Sequence, residues 1–160
     1  MHIVVGLGNP GDEYSKTRHN TGRMVADMVA EKVSGVKVIT PDTFMNKTGP
    51  AVAKAMAGKP VKNLIVIYDD LDLPLGTMKI SYNRSSGGHR GVESIIKALK
   101  TEAFIRIRIG TSPATPSGKL RKPKGEKDVE KHILSEFRKS EVEILKKVFK
   151  NVVTAVEIIK

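Results

Sequence analysis

Cysteine and tryptophan are both absent from the 160-residue chain. Without cysteine there can be no disulfide framework, no thiolate metal site and no thiol nucleophile. No serine lies in a G-x-S-x-G elbow either, so a covalent acyl-enzyme has no obvious nucleophile and water is the expected attacker in any hydrolysis. Long apolar runs are also missing, none approaching the roughly 20 residues that span a bilayer. The opening MHIVVGLGNPG has no charged region ahead of its short apolar run. The expectation is a cytoplasmic protein with no membrane partner. Aromatic residues are only 4% of the chain, which leaves few rings on which bases could stack. Acids are outnumbered, 17 against 28 Lys and Arg, for a net charge of +11. Such a surplus favours polyanions, and with so few rings it favours nucleic-acid backbone and shape over base stacking. Charge alone does not choose between RNA, DNA and solubility.

The length suits one domain spanning residues 1–160, enough to bury about 70% of the unfolded surface. No internal repeat is present. β-Branched runs at His2 to Gly6 and Leu64 to Tyr68 read as buried strands. Val36 to Ile39, Thr77 to Tyr82 and Phe104 to Ile109 are shorter or alternating and bring the count to five. Met24, Val25, Met28 and Val29 share a helical face after Asn20 or Thr21 as cap, as do Val92, Ile95, Ile96 and Leu99 after Gly91. Ser140 and Glu143 have capping-box spacing, and Leu145, Val148, Val152, Val156 and Ile159 follow at steps of three and four, so an amphipathic helix closes the chain. The fold class is α/β, a mixed but mostly parallel sheet flanked by helices. The link from Asp69 to Thr77 is too short for a crossover, so the third and fourth strands are expected to pair antiparallel. Residues 111–127, rich in Pro, Ser, Gly and Lys, read as one mobile basic loop.

Gly6, Gly8 and Gly11 spell G-x-G-x-x-G after a strand, the signature of dinucleotide binding. Pro10 removes a backbone donor, however, and DEYSKTRHN has no apolar helical face, so the helix begins about ten residues too late for a nicotinamide cofactor. The remaining consequence is that Asn9 stands at the carboxyl end of a sheet strand, where α/β proteins place ligands. His19 (KTRHNTG) and His89 (SSGGHRG) each lie at a loop-to-helix junction, whereas His2 starts a strand and His132 lies in a charged stretch. Asp69 leaves the buried run LIVIY at the same sheet edge as Asn9 and is the acid best placed to orient His19 as a general base. Asp69, Asp70 and Asp72 together offer the alternative of a hard-cation site, though Asp70 and Asp72 read first as solvated. Asn9 and Asn46 supply amides able to donate to a developing oxyanion.

The blocks GLGNPGDEYSKTRHNTG (6–22), PDTFMNKTG (41–49), YDDLDLPLG (68–76), GGHRG (87–91) and RIRIG (106–110) together resemble bacterial-type peptidyl-tRNA hydrolase. The resemblance implies hydrolysis of the ester between a peptide and the 3′ end of tRNA, with no metal and no cofactor, by a monomer that returns tRNA to translation. It implies that His19 is the base, that Asp69 holds it, and that Asn9 recognises the peptide side and helps refuse unblocked aminoacyl-tRNA. Tyr14, Phe44 and Asn46 would line the substrate crevice, Asn20 would position the site and His89 would lie near it. Two departures stand out. Arg90 occupies the place where the family commonly has a substrate-binding asparagine, and arginine suits a phosphate contact. The stretch Val29 to Val38 is short, implying a missing strand or hairpin at one sheet edge. Arg108, Arg84, Lys119, Arg121, Lys122 and Lys124 would meet the tRNA acceptor stem. The competing reading is a catalytically inactive tRNA- or RNA-binding protein on the same fold.

Overall fold

A computed structural model describes residues 1–160. Five strands form one sheet: β1 His2–Gly6, β2 Val36–Ile39, β3 Leu64–Pro74, β4 Met78–Tyr82 and β5 Ile105–Ser112. Their spatial order is β2-β1-β3-β5-β4, parallel throughout except for β4 against β5. Alternation along the strands sends Ile65 and Ile67 to one face and Leu64, Val66 and Tyr68 to the other. Helices α1 (Thr21–Lys32) and α5 (Lys139–Ile159) cover the first face, and α2 (Thr48–Met56) and α3 (Arg90–Leu99) cover the second. A sheet buried on both sides explains why β1 and β3 are continuous apolar runs.

The third and fourth strands run antiparallel but do not pair, contrary to expectation. β5 lies between them, pairing parallel with β3 and antiparallel with β4. The short link arches over β5, whose Ser112 carbonyl accepts from Leu75 N–H while Gly110 N–H donates to Thr77 carbonyl, 2.9 Å each. The lane is narrow at this arch: a Cβ on Gly110 would lie 2.1 Å from the Pro74 carbonyl oxygen. The basic loop is also shorter than expected. Thr111 and Ser112 are buried in β5, and from Glu126 the chain forms α4 (Glu126–Ile133), which sequence periodicity did not reveal. α2 was likewise unanticipated. At α5 the N-terminal contact is Glu141 accepting from Arg138 N–H at 2.8 Å, in place of the Ser140–Glu143 box. Asn20 occupies the N-cap position of α1 as expected but makes no side-chain cap bond there; its side chain reaches across to Asn9.

The glycines of the misleading motif serve packing. A Cβ on Gly6 would fall 2.4 Å from Ala26 Cβ, and one on Gly8 would fall 2.8 Å from Arg23 Cβ, so both let β1 and its exit loop lie against α1. Gly22 is tighter still, with a Cβ there only 2.1 Å from the Ile67 carbonyl oxygen. This contact seats the start of α1, and so His19, on the end of β3. The same loop is held from the other side by Arg18, which donates to Ser135 Oγ (2.5 Å) and the Glu136 carbonyl (2.8 Å) and pairs with Glu141 (2.7 Å). Its guanidinium also stacks on Phe137. Gly22→Ala is expected to cost about 3 kcal/mol, the upper part of the overpacking range, because the obstacle is backbone. A urea midpoint equal to that of the parent chain would show that the approach is not tight.

Candidate active site

The end of β3 delivers Asp69, 3% exposed, to a point between two loop-borne imidazoles. His19 Nδ1 lies 2.8 Å from Asp69 Oδ2, and His89 Nε2 lies 2.9 Å from Asp69 Oδ1. Both carboxylate oxygens are thereby used.

The tautomers follow from the donors around them. His89 stands at the N-cap of α3, and its Nδ1 accepts from Gly91 N–H (3.1 Å) and Val92 N–H (3.3 Å). A nitrogen that accepts carries no proton, so the His89 proton is on Nε2 and is donated to Asp69. Asp69 then receives the Nδ1 proton of His19 as well, which leaves His19 Nε2 with a free lone pair. Helix end, first imidazole, carboxylate and second imidazole form one connected set of hydrogen bonds in which both rings donate to the carboxylate.

Burial alone would raise the Asp69 carboxyl pKa, but the imidazoles of His19 and His89 outweigh it and hold the group well below the usual carboxylate range. For His19, burial lowers the pKa; the charge and hydrogen bond of Asp69 exceed that effect, and the net shift is upward even though Arg90 opposes it. Tyr68, buried beneath His89 with ring centroids 5.0 Å apart, has its phenol pKa raised by burial, with Arg106 acting against the shift.

Two cavities meet at His19. The first, about 320 Å³, is lined by Tyr68, Asp70, Asp72, Ser86 to Arg90, Lys122 and the α4 residues Glu126, Val129, Glu130 and Ile133. The second, about 240 Å³, is lined by Asn9, Tyr14, Phe44, Met45 and Asn46. His19, Arg90, Glu130 and Ile133 border both. Asn9 is held rigidly: its main chain is bracketed by Asn20, which accepts from Asn9 N–H (2.8 Å) and donates to the Asn9 carbonyl (2.9 Å). Its Oδ1 accepts from Met45 N–H at 2.9 Å, which turns the amide nitrogen out for other use. Tyr14 and Phe44 meet edge to face at 6.2 Å, and Phe44 and Asn46 are exposed.

The three acids of β3 do not converge on a common point. Asp69 takes the two histidines, Asp70 pairs with Arg108 Nε at 2.7 Å, and Asp72 pairs with Lys122 Nζ at 2.6 Å. Asp70 is therefore a largely buried ion pair and not the solvated acid expected. Arg108 is only 4% exposed, with Nε tied to Asp70 and Nη1 to Ser81, so most of its guanidinium is engaged within the protein. His19, Asp69 and His89 have ligand atoms close enough to surround an ion, but the His89 Nδ1 lone pair serves α3, so ligation through Nε2 would require an imidazolate.

Sequence reasoning missed the α4 wall, Tyr68 and Arg106. Arg106 is fully buried, stacks 4.2 Å over Phe104 and donates to the Arg84 carbonyl, holding the loop that leads to His89. The α4 wall had a usable signal in Val129 and Ile133, four residues apart behind Glu126 and Asp128.

The family model described as peptidyl-tRNA hydrolase matches residues 3–37 and 32–160. Its two spans meet at the short α1–β2 link. The chain is 42% identical over 175 residues to the peptidyl-tRNA hydrolase of Aquifex aeolicus (strain VF5), covering 96% of this chain and 86% of that protein. It is 47% identical over 133 residues to the one from Thermodesulfovibrio yellowstonii, covering 69% of this chain and 71% of that protein. The crystal structure of the peptidyl-tRNA hydrolase from Acinetobacter baumannii superposes with a TM-score of 0.87 at 25% identity, covering 99% of this chain and 88% of that one.

The His19 shift has a definite sign. In the parent chain the imidazole should titrate above its ordinary value of 6.5. In Asp69→Asn the raising partner is lost while burial remains, so the midpoint should fall below that value. NMR titration of the His19 ring reads this directly, and an unmoved midpoint would mean that Asp69 is not what raises it.

Proposed function

The chain belongs to the peptidyl-tRNA hydrolase family, and on that premise we propose how its residues carry out the reaction. It is a hydrolase that cleaves the ester between a peptide and the 3′ end of tRNA. His19 is the general base: Nε2 takes a proton from water as the water oxygen attacks the ester carbonyl carbon. The C=O π pair moves to oxygen, and the Asn9 amide, free on its nitrogen side, donates to that oxyanion. On collapse the acyl C–O bond breaks, and the ribose oxygen leaves with the proton carried by His19. Asp69 steadies the imidazolium between the two steps. The observation that carries this reading is the His19–Asp69–His89 hydrogen-bond chain, which leaves an unprotonated nitrogen between the two cavities.

The cavity with Asn9, Tyr14, Phe44 and Asn46 takes the acyl side, since its apolar rings and amides suit a peptide. Asn20 positions Asn9, and His89 positions Asp69. The other cavity has Lys122 in its wall, and the exposed Arg84, Lys119, Arg121 and Lys124 lie close in sequence to its lining residues Ser86 and Lys122, a basic set suited to the acceptor stem. All of these residues come from one chain, so the proposed site is complete without a second subunit. A substrate made by translating ribosomes supports a cytoplasmic setting, and no helix is long and apolar enough to cross a membrane. With its acid and histidines assembled, the site offers no support for an inactive RNA-binding protein.

His19→Ala is expected to lower kcat on N-blocked aminoacyl-tRNA by about 10²–10⁴ while leaving tRNA binding near that of the parent, with a lower thermal midpoint because the buried Asp69 loses one of its two donors. Turnover close to normal would remove His19 as the base. Because water activation is assigned to an imidazole, excess chelator should leave the rate unchanged. Loss of activity reversed by a divalent ion would point instead to the β3 acids.

A further inference from the structure

Arg90 is the first residue of α3 and borders both cavities beside His19. Its side chain is 68% exposed, and its only ionic partner is Glu126, at the loose distance of 3.8 Å. Of the other cations near the groove, Arg108 is locked to Asp70 and Lys122 is held 2.6 Å from Asp72, while Arg84, Lys119, Arg121 and Lys124 line neither cavity. The end of α3 cannot itself receive an anion, because Gly91 and Val92 N–H groups are spent on His89. A forked, permanently charged donor is thus the one strong anion-binding group left free at the junction between acyl and nucleoside sides.

Resting on the reading above, we propose that Arg90 binds a backbone phosphate of the substrate's single-stranded 3′ end. Glu126 and, one turn on, Glu130 face the same groove from α4, and a phosphate would take the place of Glu126 beside the guanidinium. The phosphate is a better partner than an exposed carboxylate at 3.8 Å, because the guanidinium can bind two of its oxygens at once. Arg90 then acts as a measuring point, recognising a substrate that continues past its terminal nucleoside. A neutral ester carbonyl has less use for a fixed positive charge, so the alternative of an ester contact is less well matched.

The test compares N-acetyl-aminoacyl-tRNA with an N-acetyl-aminoacyl ester of the terminal nucleoside alone, each at two salt concentrations. Arg90→Ala should reduce kcat/KM on the tRNA substrate by about tenfold or more, as expected for one charge-assisted contact. The slope of log K for tRNA binding against log salt should become shallower by about 0.7, the value for one single-strand phosphate. The loss should be confined to the substrate that carries the phosphate. Arg90→Lys keeps the charge and should restore the salt slope but only part of the rate. Replacing both Glu126 and Glu130 by Gln should strengthen tRNA binding in the parent and do nothing in Arg90→Ala. Equal losses on both substrates with an unchanged slope would overturn the phosphate assignment while leaving the hydrolase reading intact. If the parent chain cleaves neither substrate, the hydrolase reading fails first and takes this one with it.

Discussion

The carboxylate of Asp69 is shared between two imidazoles, and the site depends on that sharing. A buried carboxylate is tolerated only when its charge and lone pairs are met, and here one oxygen is met by His19 and the other by His89. Because each ring gives Asp69 its proton from a different nitrogen, each ring's remaining nitrogen is fixed as an acceptor. One acceptor closes the first turn of α3, and the other is left free at the meeting of the two cavities. Removing either imidazole would leave an anion half satisfied, so the positions of His19, Asp69 and the end of α3 are linked.

The constraint extends outward through the scaffold. Asp69 is fixed by β3, which is central and bonded on both sides. His19 is fixed by the Gly22 approach to Ile67 and by Arg18, which ties the loop to the chain between α4 and α5. Through that tie the α4 wall of the first cavity and the loop bearing His19 are parts of one body, although more than 100 residues separate them in sequence. The buried Arg106 does comparable work for the loop before His89.

Much of this was legible in the amino-acid order because the signals were local. The apolar runs of β1 and β3 marked strands that end in polar residues, and the ends of such strands converge by geometry. His19, Asp69 and Asn9 could be brought together on that basis alone. His89 and Asn46 were also marked by their own residues, and the resemblance to a known family added Tyr14, Phe44 and Asn20; the structure gathers all five around the same two cavities. What was not legible depended on partners distant in the chain. Asp70 looks like a solvated acid until Arg108 arrives beside it, and Arg108 looks like a surface cation for the same reason. The pairing of β4 followed a sound rule about short links that the intruding β5 sets aside. α4 was hidden because its apolar face is only two or three residues wide and its neighbours are charged.

The insertion of β5 between β3 and β4 also dictates an order of events. β3 and β4 leave the ribosome with an empty lane between them, and the residues that fill it arrive only after α3 has been made. A tight hairpin at Leu75 to Thr77 would be the quicker local product, yet it would shut β5 out. The narrow arch at Gly110, which admits no side chain, makes the lane selective for this one strand. The strand that fills the lane also carries Arg108 to Asp70, so seating β5 supplies the counter-ion of the acid at its edge.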